Sequence, residues 1–252
     1  VMEPQGIFQI RPRKGKAMFI ERILSGAREM GIPMTDGQAR KFELYHELLV
    51  QANAQFNLTR VPDDIGEAID RNYLDCISPV ARGFSPQTAI DVGSGAGFPG
   101  IPLAIMLPET RFTLLDALDK RVKFLKSVVC ELNLNAECIH ARCEDAARTP
   151  ALREQFDCAV ARAVAPMNVL CEYLLPFVRM GGTVVALKGP QLESELAGAQ
   201  KALKTLGGRV EGAFAAPIPH RDWNHKIAVL KKIAPTPPAY PRKAGTPERK
   251  PL

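Results

Sequence analysis

The chain has 252 residues, 46% of them hydrophobic, and a formal net charge of +6. That length suits one large α/β domain, or a domain with an appendage, around a substantial core. No apolar run approaches membrane-spanning length and no signal-peptide core opens the chain, so membrane and export functions are excluded and a soluble, cytoplasmic protein is expected.

Six cysteines (Cys76, Cys130, Cys138, Cys143, Cys158, Cys171) never fall two residues apart and sit within apolar segments. They are expected as small buried hydrophobes in a reducing compartment, with neither zinc knuckles nor a disulfide framework. The positive charge is terminal. Residues 1–17 carry Arg11, Arg13, Lys14 and Lys16 against Glu3, a net +3; residues 231–252 carry Lys231, Lys232, Arg242, Lys243, Arg249 and Lys250 against Glu248, a net +5, which leaves the body near −2. The expected organisation is a basic flexible arm over 1–17, a helical cap over 18–84, the main domain over 85–233 and a basic, proline-rich tail over 234–252. Such ends, too polar to bury a core, read as mobile arms that neutralise the phosphates of a polyanion, or as solubilising tails.

In chain order, Ala17–Met30 predicts an amphipathic helix stopped by Gly31 and Pro33. Thr35-Asp-Gly-Gln38 matches a capping box, and Phe42, Tyr45, Leu48, Leu49, Ala52 and Phe56 follow at helical spacing. The polar loop Asn53–Thr59, with Asn57 in it, faces an expected pocket mouth, and a third helix begins near Asp63 and runs past Cys76.

The stretch Ala89-Ile-Asp-Val-Gly93-Ser-Gly95-Ala-Gly97-Phe98-Pro-Gly100 predicts a strand, a glycine-rich turn and a helix. Arg111–Asp116 then predicts a second strand that ends on a carboxylate. Glycines suit such a turn because the backbone must take positive φ and approach a ligand with no Cβ in the way. The helix N-terminus behind the turn should present unpaired N–H groups to that ligand. Asp116, an acceptor-only group one crossover later, is placed to receive two ribose hydroxyls.

The run Gly95-Ala-Gly97-Phe-Pro-Gly100 also satisfies G-x-G-x-x-G, a pattern that by itself points to a dinucleotide. Two details favour S-adenosylmethionine over NAD. Asp91, two residues before the first glycine, is expected at the pocket floor, where it would repel a pyrophosphate and suit an ammonium and a sulfonium. Pro99 and Pro102 leave fewer N–H groups in the first helical turn to hold phosphates.

Beyond the turn, helix Leu118–Leu132 buries Val122, Leu125, Val129 and Leu132. Strands follow at Ala136–His140, Phe156–Ala161 and Thr183–Leu187, with 209–215 and 225–232 as a closing pair. Alternating strands and helices imply a mainly parallel sheet of seven strands with right-handed crossovers and helices on both faces. Ligands in such sheets bind beyond the carboxyl ends of the strands, beside the first. Strand ends therefore nominate Arg142, Cys143 and Glu144 after strand three, Arg162 after strand four and Lys188 after strand five. His46, His140, His220 and His225 occur singly and read as structural or surface residues, without a metal site.

Taken together, Asp91–Gly100 with Ile-Pro-Leu after it, Leu115-Asp116-Ala-Leu-Asp-Lys-Arg-Val-Lys-Phe-Leu, the pair Arg142/Glu144, Arg162-Ala-Val-Ala, Ala186-Leu-Lys-Gly189 and Asn57-Leu-Thr resemble the RsmG (GidB) family. The family comprises bacterial 16S rRNA methyltransferases that modify a guanine at N7, on a Rossmann-like S-adenosylmethionine-dependent fold. The resemblance spans about Phe42 to Lys232, and Tyr240-Pro-Arg-Lys-Ala-Gly-Thr-Pro resembles members with a C-terminal extension. It implies that Gly93 and Phe98 contact the cofactor at the turn, that Cys143 and Glu144 flank its adenine, and that Arg162 lies where cofactor and substrate meet. Gly95, Gly97 and Asp116 complete the expected cofactor set; Asn57, Arg142, Lys188, Arg242 and Lys243 form the expected RNA set. The chain departs from the family pattern at Asn72 and Cys76, where similar proteins often have His and Ser. The expected partner is 16S rRNA or the small ribosomal subunit, met by a monomer with no metal. An NAD-dependent oxidoreductase and a non-catalytic RNA-binding protein are the alternative readings.

Overall fold

A computed structural model describes residues 16–252; the basic arm expected over 1–17 lies, but for its last two residues, outside the described residues. The elements follow the order α1 (Lys16–Glu29), α2 (Asp36–Phe56), α3 (Ile65–Ile69), α4 (Asp75–Ile77), β1 (Thr88–Val92), α5 (Gly100–Met106), β2 (Arg111–Asp116), α6 (Asp119–Glu131), β3 (Ala136–His140), α7 (Cys143–Ala146), β4 (Phe156–Arg162), α8 (Met167–Leu174), β5 (Val178–Lys188), α9 (Leu192–Gly198), α10 (Gln200–Leu206), β6 (Gly208–Ala215), β7 (Lys226–Lys232) and α11 (Thr246–Arg249). The expected third helix is interrupted: a π-helical turn, Asp70–Leu74, separates α3 from α4. Such turns recur at functional sites.

One sheet holds all seven strands in the order β3-β2-β1-β4-β5-β7-β6, and β7 alone runs against its neighbours β5 and β6. Because β2 and β3 extend from one side of β1 while β4 and β5 extend from the other, the chain leaves a crevice above the end of β1. Alternate strand residues serve the two faces. Ala89, Phe112, Leu114, Cys158, Val160, Val185 and Leu187 pack with α1, α2, α5 and α6. Ile90, Val92, Leu115, Ala159, Ala161, Val184 and Ala186 pack with α8, α9 and α10.

The expected helical cap is thus one layer of the domain: Phe19, Ile23, Phe42, Tyr45 and Leu49 share a continuous core with the sheet. Thr35 makes the expected capping box with Gln38. The Gln38 side-chain amide also donates to the carbonyls of Ile105 and Met106 at 3.2 Å, joining α2 to the end of α5. Within α6, Phe124 and Val128 are buried, whereas Val129 is half-buried.

Two expectations about exposure are corrected. Cys130 is exposed and Cys138 and Cys143 are half-buried, so only Cys76, Cys158 and Cys171 are the buried small hydrophobes expected; all six are free thiols. The tail over 234–252 packs against the body, with Pro241 and Pro247 buried and Tyr240 and Leu252 against the core. Its prolines leave backbone carbonyls without strand or helix partners, and two arginines of the body satisfy them. Arg153 donates to the carbonyls of Thr236 and Tyr240 at 2.8 and 2.9 Å, and Arg148 donates to those of Ala239 and Pro241. Lys232, fully buried, ties the start of the segment to Leu175 and Glu154. No helix among the described residues is long and apolar enough to cross a membrane.

Tyr45 links the cap to the glycine turn: its buried hydroxyl donates to the Ala96 carbonyl at 2.6 Å. Tyr45→Phe leaves that carbonyl without its partner and should cost about 1–2 kcal/mol. The expected result is a lower urea midpoint with an unchanged slope, read by equilibrium unfolding.

Candidate cofactor and substrate clefts

At the crevice, Gly93, Gly95 and Gly97 all adopt positive φ (76°, 61° and 108°), as expected for the turn. A Cβ on Gly95 would meet only the Gly93 carbonyl, at 3.9 Å, and that open space belongs to the cleft. Gly97 has a different role: a Cβ there would come within 2.7 Å of the Tyr45 hydroxyl and 2.6 Å of Ile101. It faces the core and lets α5 and α2 close behind the turn, so its expected place among the ligand contacts is corrected.

Six amides of the turn are already engaged within the protein. Gly93 and Ser94 donate to the Leu115 carbonyl, Gly95 to Asp116 Oδ2 at 2.8 Å, Gly97 and Phe98 to the Ser94 carbonyl, and Gly100 to Asp91 Oδ2 at 2.9 Å. The expectation that a helix N-terminus offers free N–H groups to a ligand is therefore corrected. The proline nitrogens of Pro99 and Pro102 have no hydrogen to give, and the neighbouring amides are already satisfied. An amide cradle for phosphates is not formed by these donors.

Asp91 lies beneath the turn, fully buried, and does not line the cleft, contrary to its expected place on the pocket floor. Its Oδ1 has no hydrogen-bond partner. Burial pushes its carboxyl up to about 7, against the lowering contributed by the Gly100 N–H, the Ser94 side chain and Arg162. Asp116 is where the strand reading puts it, at the end of β2 and on the cleft wall. Its two oxygens accept from Gly95 and from Leu118 N–H at 2.9 Å, and Arg121 stands 3.5 Å away. A carboxylate oxygen has a second lone pair, so these bonds leave acceptor capacity for hydroxyls.

The first cleft, about 500 Å³, is lined by these groups and by Phe98, Arg142, Cys143, Glu144, Arg162, Tyr173, Gly245 and Glu248. Glu144 is buried and takes the Cys143 thiol at 3.3 Å; burial and the adjoining Glu144 push that thiol well above its ordinary range. A second cleft, about 830 Å³, adjoins the first and shares Thr59, Arg162 and Ala163 with it. Arg162 is the partition. Its guanidinium lies 4.8 Å over the Phe98 ring, donates to the Arg71 carbonyl at 2.6 Å and pairs with Asp75 Oδ2 at 3.2 Å.

Asp75 also receives His225 Nδ1 at 2.8 Å, and both residues line the second cleft. Sequence reading missed this pair, since Asp75 sits inside a helical pattern and His225 lies 150 positions away. The only local signal was Asp75 in the run that departs from the family pattern on either side. Trp223 braces the loop carrying His225, with Arg71 and Arg221 at 4.7 and 5.2 Å from its ring and the imidazole stacked on it at 5.3 Å. Buried Asp70 receives both Arg22 and Arg221 and so pins the same loop to α1.

The expected RNA-contact residues divide. Asn57 is exposed at the left-handed end of α2, just outside the clefts that Leu58 and Thr59 line; Arg142 is exposed on the first cleft's wall; Lys243 is exposed. Lys188 lies in the second cleft and Arg162 pairs with its neighbour Leu187, as the strand reading expects. Its ammonium, however, is held by Glu195 at 2.5 Å and the Ala165 carbonyl at 2.8 Å with only 9% of the side chain exposed. Arg242 is likewise committed, wrapped around the buried carboxylate of Glu172 with contacts of 2.6 to 3.1 Å. Both cations are therefore withdrawn as free phosphate contacts. Among the described residues no cluster of three or more His, Cys, Asp or Glu could hold a metal.

The raised Asp91 carboxyl makes a pH prediction. An unfolded aspartate titrates near pH 4, so between about pH 4 and 7 the folded state keeps a proton that the unfolded state has released. The stability from the neutral carboxyl is complete below about pH 4 and is lost as pH rises through 7. Asp91→Asn, which keeps an acceptor for Gly100, should show a smaller fall in Tm from pH 5 to pH 8 than the parent. Parallel Tm profiles would mean that Asp91 ionises normally.

Comparison with known proteins agrees with this geometry. A family model described as GidB, rRNA small subunit methyltransferase G, matches residues 38–218. The ribosomal RNA small subunit methyltransferase G of Leuconostoc citreum is 45% identical over 240 residues, covering 93% of this chain and all of that protein. The protein of the same name from Clostridium perfringens strain SM101 is 45% identical over 237 residues, 93% of this chain and 99% of its own. An O-methyltransferase from Bacillus cereus, solved in complex with SAH, shares the fold at a TM-score of 0.55 and 15% identity, covering 86% of this chain and 100% of that one. With the match extending from α2 past the glycine turn, Asp116 and Arg162 to the loop after β6, the chain belongs to the rRNA small subunit methyltransferase G family.

Proposed function

We propose that this protein transfers the methyl group of S-adenosylmethionine to N7 of a guanine in 16S rRNA, acting in the cytoplasm as a monomer on the rRNA or the small subunit. The observation that carries the reading is that six amides of the glycine turn are already engaged by the protein's own acceptors. A dinucleotide's pyrophosphate would need those donors, whereas a cofactor without phosphates does not. This favours S-adenosylmethionine over NAD on physical grounds.

Asp116 would hold the ribose hydroxyls, and Cys143 and Glu144 the adenine end; Gly93, Gly95 and Phe98 would border the rest. S-adenosylmethionine brings a methyl group made electrophilic by its sulfonium. Guanine N7 already has an in-plane lone pair, so the protein need not remove a proton to make it a nucleophile. What remains is alignment and electrostatics. Arg162 stands between the two clefts and could direct its guanidinium at the guanine O6 or a phosphate, and Asp75 with His225 sets its orientation. Arg142, Asn57 and Lys243, exposed around the clefts, would meet the RNA.

The decisive experiment supplies tritiated S-adenosylmethionine with naked 16S rRNA, 30S subunits or 70S ribosomes and maps the labelled base. Label on a guanine at N7 is expected. RNA binding without transfer would indicate a non-catalytic binding protein, and a response to nicotinamide cofactor alone would indicate an oxidoreductase.

Asp116→Ala should weaken cofactor binding tenfold to a hundredfold, about 1.4–2.8 kcal/mol, because it removes the ribose acceptor and releases Gly95. Calorimetry reads this directly. Arg162→Lys retains the charge and loses the planar fork, so kcat/KM on rRNA should fall at least tenfold, about 1.4 kcal/mol of transition-state stabilisation. A wild-type single-turnover rate would remove Arg162 from the reaction.

A further inference from the structure

The segment after β7 ends at the first cleft. From Thr236 to Pro241 its carbonyls are held by Arg148 and Arg153, and Arg242 then closes on Glu172, a carboxylate with no solvent exposure. That ion pair anchors the chain at the point where it turns toward the cofactor side. Three residues on, the Gly245 N–H donates to Glu144 Oε1 at 3.0 Å, and Gly245, with φ 76°, starts the short helix α11. Gly245 and Glu248 line the cleft beside Tyr173. Burial and the carboxylates of Glu144 and Glu248 push the Tyr173 phenol upward, in keeping with a carboxylate brought close to it by the strap.

We propose that residues 243–252 are part of the cofactor site: Gly245 braces Glu144, and Glu248 supplies a second carboxylate wall for the adenosine end. The inference rests on the reading of this cleft as the S-adenosylmethionine site. It assigns Glu144 a different state from a free acceptor, since one oxygen is engaged by the strap and the other by the Cys143 thiol. The strap thus fixes the carboxylate's direction before ligand arrives, and an adenine amino group would find it already oriented. Glu248 is exposed at the cleft edge, so it can accept a hydrogen bond from the nucleoside without a buried-charge penalty. Docking of the strap and binding of cofactor are linked: a ligand that touches the docked segment stabilises its docking to the same extent.

The same residues had the opposite expectation on composition, that of a cationic arm for RNA. The two roles separate experimentally. Truncation after Arg242 retains the Arg242–Glu172 anchor and removes Gly245 and Glu248; Glu248→Ala removes one side chain on the surface. Calorimetry with S-adenosylmethionine on the full chain first tests the underlying reading: if the full chain does not bind it, that reading fails, whatever the strap does. If it binds, truncation should weaken affinity at least tenfold and Glu248→Ala at least threefold. Tm without cofactor should stay within a few degrees of the parent, and trypsin cleavage after Lys243 or Arg249 should slow when cofactor is present. Unchanged affinity in both variants would overturn the proposal. So would a truncation that lowers 16S rRNA affinity and flattens its salt dependence while leaving cofactor affinity intact, which is the signature of an RNA arm. Should the truncated chain not fold, Glu248→Ala decides alone, with a wild-type Kd counting against the proposal.

Discussion

Two carboxylates hold the glycine turn, and the site is built on them. Asp116 reaches from the end of β2 to the Gly95 amide, and Asp91 reaches from β1 to the Gly100 amide. One bond faces the cleft and the other lies beneath it. Between them they replace the ligand that a phosphate-binding turn would need to satisfy its backbone donors, so the turn is preorganised without an anion. The consequence for chemistry is direct: the turn itself presents few backbone donors to the cleft, where a dinucleotide site offers amides. The cost is a buried acid, Asp91, whose second oxygen has no partner. It is offset in part because burial raises that acid to about 7, so that it holds its proton through the acidic range and is about half protonated at neutrality.

From the turn outward, a second set of interactions joins the first cleft to the second. Phe98, which belongs to the turn, lies under the Arg162 guanidinium, and Arg162 is tethered to the π-helical stretch through the Arg71 carbonyl and to α4 through Asp75. His225 adds the start of β7 to the same carboxylate. Three segments, the glycine turn, the stretch 71–75 and, through Asp75, the chain before β7, therefore converge on one cation. Asp75 partly neutralises that cation and fixes its direction.

Charge composition proved a poor guide to the ends of the chain. Counting lysines and arginines makes 231–252 an arm at +5, yet Lys232 is buried beside Glu154 and Arg242 encloses Glu172. Each cation was counted without its partner. Those partners lie 70 or more positions away, where no local pattern connects them. Lys188 is likewise neutralised, though by Glu195, only seven positions along the chain.

The seven strands, the first two helices and the helix after β2 were legible in the sequence, because apolar periodicity and punctuation by glycine and proline are local properties. The sequence also placed Gly93, Gly95, Asp116 and Arg162 at strand ends or in the turn, and in a doubly wound sheet those ends converge on one crevice. Folding in three dimensions set what the turn's amides bond to, that Gly97 serves packing, that Asp91 lies under the site, and that Asp75 and His225 meet. It alone decided that the tail docks. The physical reason is common to all five. Hydrogen-bond and ion-pair partners are chosen by distance in space, and a buried carboxylate can satisfy an amide or an arginine from any part of the chain that folding brings within about 3 Å.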